Sequence, residues 1–459
     1  MLFSSAEFIF GFLPVTFLIY FVLARTSLIY ARLWLLLASI FFYGWWNPAN
    51  ILLITASMAF NFIVGSALFK SRRRGVLALG VSANVATLFY YKYANFFIGN
   101  LNLIADKQFP FLHVVLPLGI SFFTFTQIAY LVDCYQGKAS DYKFSNYCLF
   151  VTFFPHLIAG PIVHHTQLMP QFEDRKNIKP VIDNITRGIF VFNIGLAKKL
   201  IIADTLSTIV ANGYSNAASL STSQAWFTSL AYSIQLYFDF SGYSDMAIGL
   251  ALLFNIDLPP NFNSPYKSIN IQEFWRRWHI TLSRFLRDYI YVPLGGNRRG
   301  EWFTARNLMI TFVLGGIWHG AGWTFAMWGF LHGTALVIHR LWTRLSITVP
   351  GWIAVPITFL FVNVAWVFFR APSWHDAISM IGAMTDVRDA RQEFVLVHDY
   401  FFAPIWVVSF VLLFLPNSTE SLTAFKPSLR YAFLVIFLIV MNILFLNSTP
   451  NQEFLYFDF

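Results

Sequence analysis

The sequence predicts an all-α polytopic membrane protein, built from apolar spanning helices with re-entrant and interfacial helical segments between them. Three observations carry that expectation. Of 459 residues, 57% are hydrophobic and 12% charged, against about a quarter charged in an average soluble domain. Phe alone fills 53 positions, and so few charges cannot cover that much ring surface in water; a bilayer is the solvent that fits such a composition. Apolar runs near the ~20 residues that a spanning helix needs also recur along the whole length.

The runs fall at 8–24, 33–46, 51–69, 76–97, 113–133, 185–212, 225–254, 307–319, 323–339, 352–369, 401–416 and 431–447, which is about eleven or twelve crossings. The run 307–319 is short for a full span. Residues 147–163, broken by Pro155, Gly160 and Pro161, read as a re-entrant stretch, since broken backbone persists at membrane depth only inside protein or beside a water-filled cavity. The start, Met1-Leu-Phe-Ser-Ser-Ala-Glu7, has no basic n-region, and no Ala-x-Ala follows Phe8 to Leu23. That run is expected to stay in place as a first span. With no internal repeat and no soluble stretch, residues 1–459 are expected to form a single membrane domain.

Charge then sets orientation. The net charge of +9 is not gathered into a basic domain clear of the apolar runs, which argues against nucleic acid as a partner. It is what cytoplasmic loops rich in Lys and Arg produce. With the N-terminus outside, the inside loops hold Arg25, Arg32, Lys70, Arg72 to Arg74, Lys138, Lys143, Arg175, Lys176, Lys179, Arg187, the cluster from Lys267 to Arg306, Arg340, Arg344, Lys426 and Arg430. The outside loops keep Lys107, Arg370, Arg388 and Arg391. Both termini, including the tail 448–459, are therefore expected on the extracytoplasmic side. Cys134 and Cys148 lie near a loop assigned inside and read as free thiols; their spacing matches neither a metal site nor a disulfide framework.

The longest non-spanning stretch, 255–306, is expected to lie at the cytoplasmic interface. Its centre reads as one amphipathic helix from about Ile271 to Tyr291, with Trp275, Trp278, Phe285 and Tyr289 toward the acyl boundary and Arg276, Arg277, Arg284 and Arg287 toward headgroups. Those arginines could equally form a phosphate-binding patch for an anionic substrate.

Among polar residues His319, in Leu314-Gly-Gly-Ile-Trp-His-Gly-Ala-Gly322, is the most informative. An ionisable group at membrane depth marks a functional site by default; the flanking glycines allow close approach, and imidazole suits general-base work near neutral pH. A histidine hydrogen-bonded between helices, or one at a helix end, would look the same. His279, in Trp275-Arg-Arg-Trp-His-Ile-Thr281, is a second candidate beside the plainer reading of an interfacial side chain. Asp239 and Asp245, six apart in an apolar span, face roughly opposite ways and are expected to make packing hydrogen bonds, with a proton relay as the alternative. His156, His164 and His165 match neither a zinc spacing nor a triad and are expected to line a pore or lie in a loop.

At these residues the chain resembles the membrane-bound O-acyltransferase superfamily, in the bacterial branch that O-acetylates alginate, cellulose and related envelope polymers. The resemblance runs through Tyr91-Lys-Tyr-Ala-Asn95, Leu116-Pro-Leu-Gly-Ile-Ser-Phe-Phe-Thr-Phe125, Phe153-Phe-Pro-His-Leu-Ile-Ala-Gly-Pro-Ile162, Tyr237-Phe-Asp-Phe-Ser-Gly-Tyr-Ser-Asp-Met246, the 273–300 segment and Gly316-Ile-Trp-His-Gly320. It implies a ring of transmembrane helices around a central funnel, with His319 as the essential histidine and His279 as a second. It also implies a periplasmic acetyltransferase partner, within exopolysaccharide synthesis and export machinery in the bacterial inner membrane. His156 and His164 depart from the usual Gln and Arg of the broken stretch. The tail Phe454-Leu-Tyr-Phe-Asp-Phe459 is similar to an aromatic-Tyr ending in envelope acylation systems, where the tyrosine carries the acyl group; an interfacial aromatic belt would look alike.

The mechanism that follows is acyl transfer, without a bound cofactor, from acetyl-CoA or another cytoplasmic thioester to a hydroxyl reached from outside. His319 takes the hydroxyl proton, with Trp318 N–H, backbone or His279 facing the oxyanion. Arg276 and Arg277 gather the donor, and Tyr456 carries or guides the acyl group. Alternatives are a lipid, protein or peptidoglycan acceptor, or a transporter or flippase, for which the paired broken helices of many transporters would be expected.

Overall fold

The computed structural model describes the chain apart from residues 106, 140–142, 387–408, 447–453 and 456–459. Among the described residues every regular element is helical, as expected of an all-α membrane protein. Four helices among the described residues are long and apolar enough to cross a bilayer: Glu7–Thr26, Ala49–Ser71, Gly351–Arg370 and Leu429–Leu446. Leu28–Gly44 is apolar but shorter. The expected span 401–416 lies partly outside the described residues.

The chain divides into two compact units, Met1–Asn193 with Tyr243–Pro259 and Pro427–Val435, and Ile194–Gly242 with Pro260–Lys426 and Ile436–Phe459. In the first unit, Ser27 is extended and its Oγ accepts the Ile29 amide proton, so the chain turns sharply between Leu13–Thr26 and Leu28–Gly44. Asn61 and Asn84 exchange side-chain amide hydrogen bonds at 3.1 and 2.6 Å, pinning Ala49–Ser71 to Arg74–Leu88. Each donor thereby finds a partner where solvent cannot supply one. The expected span 113–133 is helical only from Ile120. Pro117 has no amide proton to donate and Gly119 takes φ +69, which starts the helix late.

The broken stretch is buried from Val151 to Val163. Its freed backbone is satisfied by protein: the Phe154 N–H donates to Ser39 Oγ at 3.2 Å. His156 Nε2–H donates to the Phe150 carbonyl at 2.9 Å, and His165 Nε2 lies 3.0 Å from Asp133 Oδ2. These two histidines are buried and close internal contacts.

In the second unit, the end of Ile182–Ala197, a π-turn Lys198–Ala203 and Asp204–Ser215 pack with Thr222–Leu253, a helix of 32 residues. Gly242 allows this approach, since a Cβ there would stand 2.7 Å from the Gly195 carbonyl oxygen. The run expected at 307–319 is a longer helix, Glu301–His319, of 19 residues. It forms a hairpin with Trp323–Trp342. Ser229 and Ser233, on Thr222–Leu253, hydrogen-bond Asn363 and so tie Gly351–Arg370 to the same body.

Candidate active site

The helix expected over 271–291 is broken. Asn270 caps Ile271–Arg277 by accepting the Glu273 N–H at 2.8 Å. Trp278 is then extended, and His279 takes φ +41 and ψ +55 before Ile280–Leu286 begins. A left-handed conformation costs a residue with a Cβ about 1–2 kcal/mol, and such strain, once observed, points to function. The preceding loop holds it: Asn263 N–H donates to Arg277 O, and Ile280 N–H to Asn261 O, both at 2.9 Å. Three of the four rings expected at a lipid boundary turn inward instead. Trp275, Trp278 and Phe285 are all buried, because the break rotates them onto the helices of the second unit.

His279 is fully buried, and its tautomer follows from its neighbours. The Thr281 backbone N–H can only donate, and it reaches Asn261 Oδ1 at 3.3 Å. That atom is therefore the amide oxygen, which also accepts from Thr281 Oγ1 at 2.9 Å and faces His279 Nδ1 at 3.1 Å. Nδ1 must carry the proton, and Nε2 the lone pair. The ring meets Phe240 edge to face at 4.7 Å.

His319 closes the helix Glu301–His319 and is also buried. It lies at a helix end, but its surroundings are rings: Trp318, Trp328 and Phe369, with centroids at 4.8, 5.2 and 5.1 Å. The glycines beside it serve the backbone. A methyl on Gly316 would strike the Phe325 carbonyl, and one on Gly329 the Phe312 carbonyl. The two imidazoles belong to one aromatic body, joined ring to ring from His279 through Phe240, Phe262, Trp278, Trp366 and Trp328 to His319.

A third imidazole, unforeseen from the sequence, sits in that body. His332 is fully buried, accepts the Trp275 indole proton at Nδ1 (3.2 Å) and lies 4.8 Å from Trp328. It is a histidine in an apolar helix thirteen residues after His319, and the same signal that singled out His319 could have found it. Lys199 was missed likewise. It is buried and ion-paired to Asp204 at 2.7 Å and Asp239 at 2.8 Å, so Asp239 is one end of a charge cluster, more than a packing group. Asp245 lies in the other unit.

The neighbouring arginines differ in role. Arg277 is held by Glu273 at 2.8 and 3.0 Å and donates to the Asn263 carbonyl. Arg276 instead lines a cavity of about 580 Å³ with Arg284, Arg287 and Arg340. Two of those four are engaged, Arg287 by Asp288 and Arg340 by Glu301; the hydrogen bonds from Arg340 hold the Glu301 carboxyl below its ordinary range. Trp275 forms part of the cavity wall and is one ring, Trp328, away from His319. Tyr456 lies outside the described residues, but Phe454 and Leu455 before it do not. Phe454 is buried against Phe240, and the Leu455 N–H donates to Asp239 Oδ2 at 3.1 Å.

Strained histidine, buried imidazoles and arginine-lined cavity all fall within residues 81–371, which match the family model for membrane-bound O-acyltransferases. The chain belongs to that family and is a membrane O-acyltransferase. Among its relatives, a peptidoglycan O-acetyltransferase of Helicobacter pylori is 44% identical over 100% of this chain and 98% of its own length. A probable alginate O-acetylase, AlgI, of Pseudomonas aeruginosa is 42% identical over 84% and 75%. A teichoic acid D-alanyltransferase of Bacillus subtilis is 27% identical over 60% and 76%.

Proposed function

We propose that this protein, in the bacterial inner membrane with both termini outside, passes an acetyl group from a cytoplasmic thioester to hydroxyls of an envelope polysaccharide. The observation that carries this reading is the single aromatic body holding His279 and His319, one ring from an arginine-lined cavity. Acetyl-CoA, or another thioester bearing phosphate, docks with its phosphates on the arginines and its acyl end toward the imidazoles. A hydroxyl oxygen attacks the thioester carbonyl while His319 accepts its proton. The C–S bond breaks, and the imidazolium returns the proton to the leaving thiolate. His279, neutral and donating through Nδ1 to Asn261, holds its Nε2 lone pair ready for the hydroxyl proton or its relay.

The first hydroxyl acylated is that of Tyr456, and a periplasmic acetyltransferase working with polysaccharide-assembly machinery moves the acetyl onward. Sequence likeness over the full length of a peptidoglycan O-acetyltransferase supports peptidoglycan as the acceptor; the likeness to alginate O-acetylases, over a smaller share of each chain, supports an exopolysaccharide such as alginate or cellulose as the second reading. The test is purified protein in liposomes given acetyl-labelled thioester inside. Label should appear as an ester on the protein, and Tyr456→Phe should abolish it while the protein stays folded. Label delivered outside as unchanged thioester would instead make the chain a transporter. Muropeptide and exopolysaccharide mass spectra from a deletion strain then decide the acceptor by which polymer loses its acetyl esters.

A further inference from the structure

We propose that Asp239 is a positioning residue that docks the C-terminal tail for acyl transfer, with Lys199 holding it in place; this rests on the reading of Tyr456 as acyl carrier. The geometry starts at the π-turn Lys198–Ala203, which places the Lys199 ammonium between two carboxylates, Asp204 and Asp239. All three side chains are buried. Lys199 is shared between the two carboxyls, and dipoles pointed at Asp239 help to hold its charge. The Leu455 amide is one such dipole, donating to Oδ2 at 3.1 Å while Lys199 holds Oδ1 at 2.8 Å. A hydrogen bond to a charged acceptor is worth about twice a neutral one.

The side chain before that amide completes the dock. Phe454 packs on Phe240, and Phe240 is the ring that His279 meets edge to face. Consecutive residues of one helix thus make both contacts, Asp239 to the tail backbone and Phe240 to the tail ring and the imidazole. Tyr456 is the next residue along the chain. On the reading of Tyr456 as acyl carrier, fastening the tail one residue before it raises the effective concentration of the carrier, which a loose tail of the same sequence does not.

The experiment removes each half of the hydrogen bond in turn. Leu455→Pro deletes the amide proton and leaves the buried charges untouched. Leu455→Ala keeps the amide and controls for the lost side chain. Asp239→Ala deletes the acceptor and leaves Lys199 paired with Asp204. Each full-length protein is digested with carboxypeptidase, and removal of the residues after Leu455 is timed by intact mass. Polysaccharide acetylation is measured in cells, and thermal midpoints report folding. Wild type and Leu455→Ala should be trimmed slowly, and Leu455→Pro and Asp239→Ala about tenfold faster, with acetylation lost and midpoints near wild type.

Unchanged trimming in folded Leu455→Pro overturns the dock, even if Asp239→Ala fails to fold. Faster trimming with wild-type acetylation overturns its role in transfer. Tyr456→Phe that is trimmed slowly and still acetylates polymer would instead remove the acyl-carrier reading and leave the dock standing.

Discussion

Asn261 Oδ1 stands 3.1 Å from His279 Nδ1, and the same oxygen takes both the backbone and hydroxyl protons of Thr281. One amide thereby fixes a ring tautomer and a left-handed backbone at once. Asn261→Ala leaves those donors without their acceptor, and acetyl transfer in liposomes should fall by about tenfold or more. Asn261→Asp keeps an oxygen at the same place and should retain more transfer than the alanine variant. Equal loss in both would mean that the amide matters for shape alone.

His319→Ala should cost 10²–10⁴-fold in transfer, the usual effect of deleting a general base, with the protein present in the membrane at normal level. Labelled-donor turnover is the measurement, and a well-expressed variant of near-normal rate would remove His319 from the chemistry.

Charge reversal should distinguish the cavity arginines from their neighbour. Arg276→Glu with Arg284→Glu is expected to raise the donor concentration for half-saturation by at least about tenfold, two charge-assisted contacts being lost. Arg277→Glu breaks the exchange with Glu273 and should lower thermal stability while leaving that concentration within about twofold. Donor titration on the two variants side by side reads the difference.

Orientation is tested by reporter fusion. A reporter active only in the periplasm should work after Phe459 and be silent when inserted after Arg74. The reverse pattern would turn the cavity arginines to the outside and separate them from a cytoplasmic donor.

Composition and apolar runs were enough to read the all-α membrane class, and a histidine among glycines was enough to point at 319. The break at His279 was hidden because the amphipathic pattern runs through it unaltered, and a histidine, though it tolerates positive φ better than most residues with a Cβ, does not by itself mark a break. What bends the chain is Asn261, eighteen residues away. Lys199 and Asp239 meet across forty positions of sequence, and only the packing of two helices brings them together. Arg276 and Arg277 are the same residue type, but one step along a helix turns a side chain by about 100°, so one enters the cavity and the other binds Glu273. The capping of the helix start is legible in the sequence: Asn270 with Glu273 three residues on is an N-terminal signal.

At Gly316 and Gly329 the hairpin carrying His319 meets backbone to backbone, with no side chain between. The imidazole is therefore surveyed from covalent landmarks, and the girth of its neighbours has no say in where it stands. Phe369, by contrast, meets the imidazole through its ring, and Phe325 packs edge-on against Phe369. Trimming those rings should leave the base at its address, whereas a side chain at either glycine should displace it.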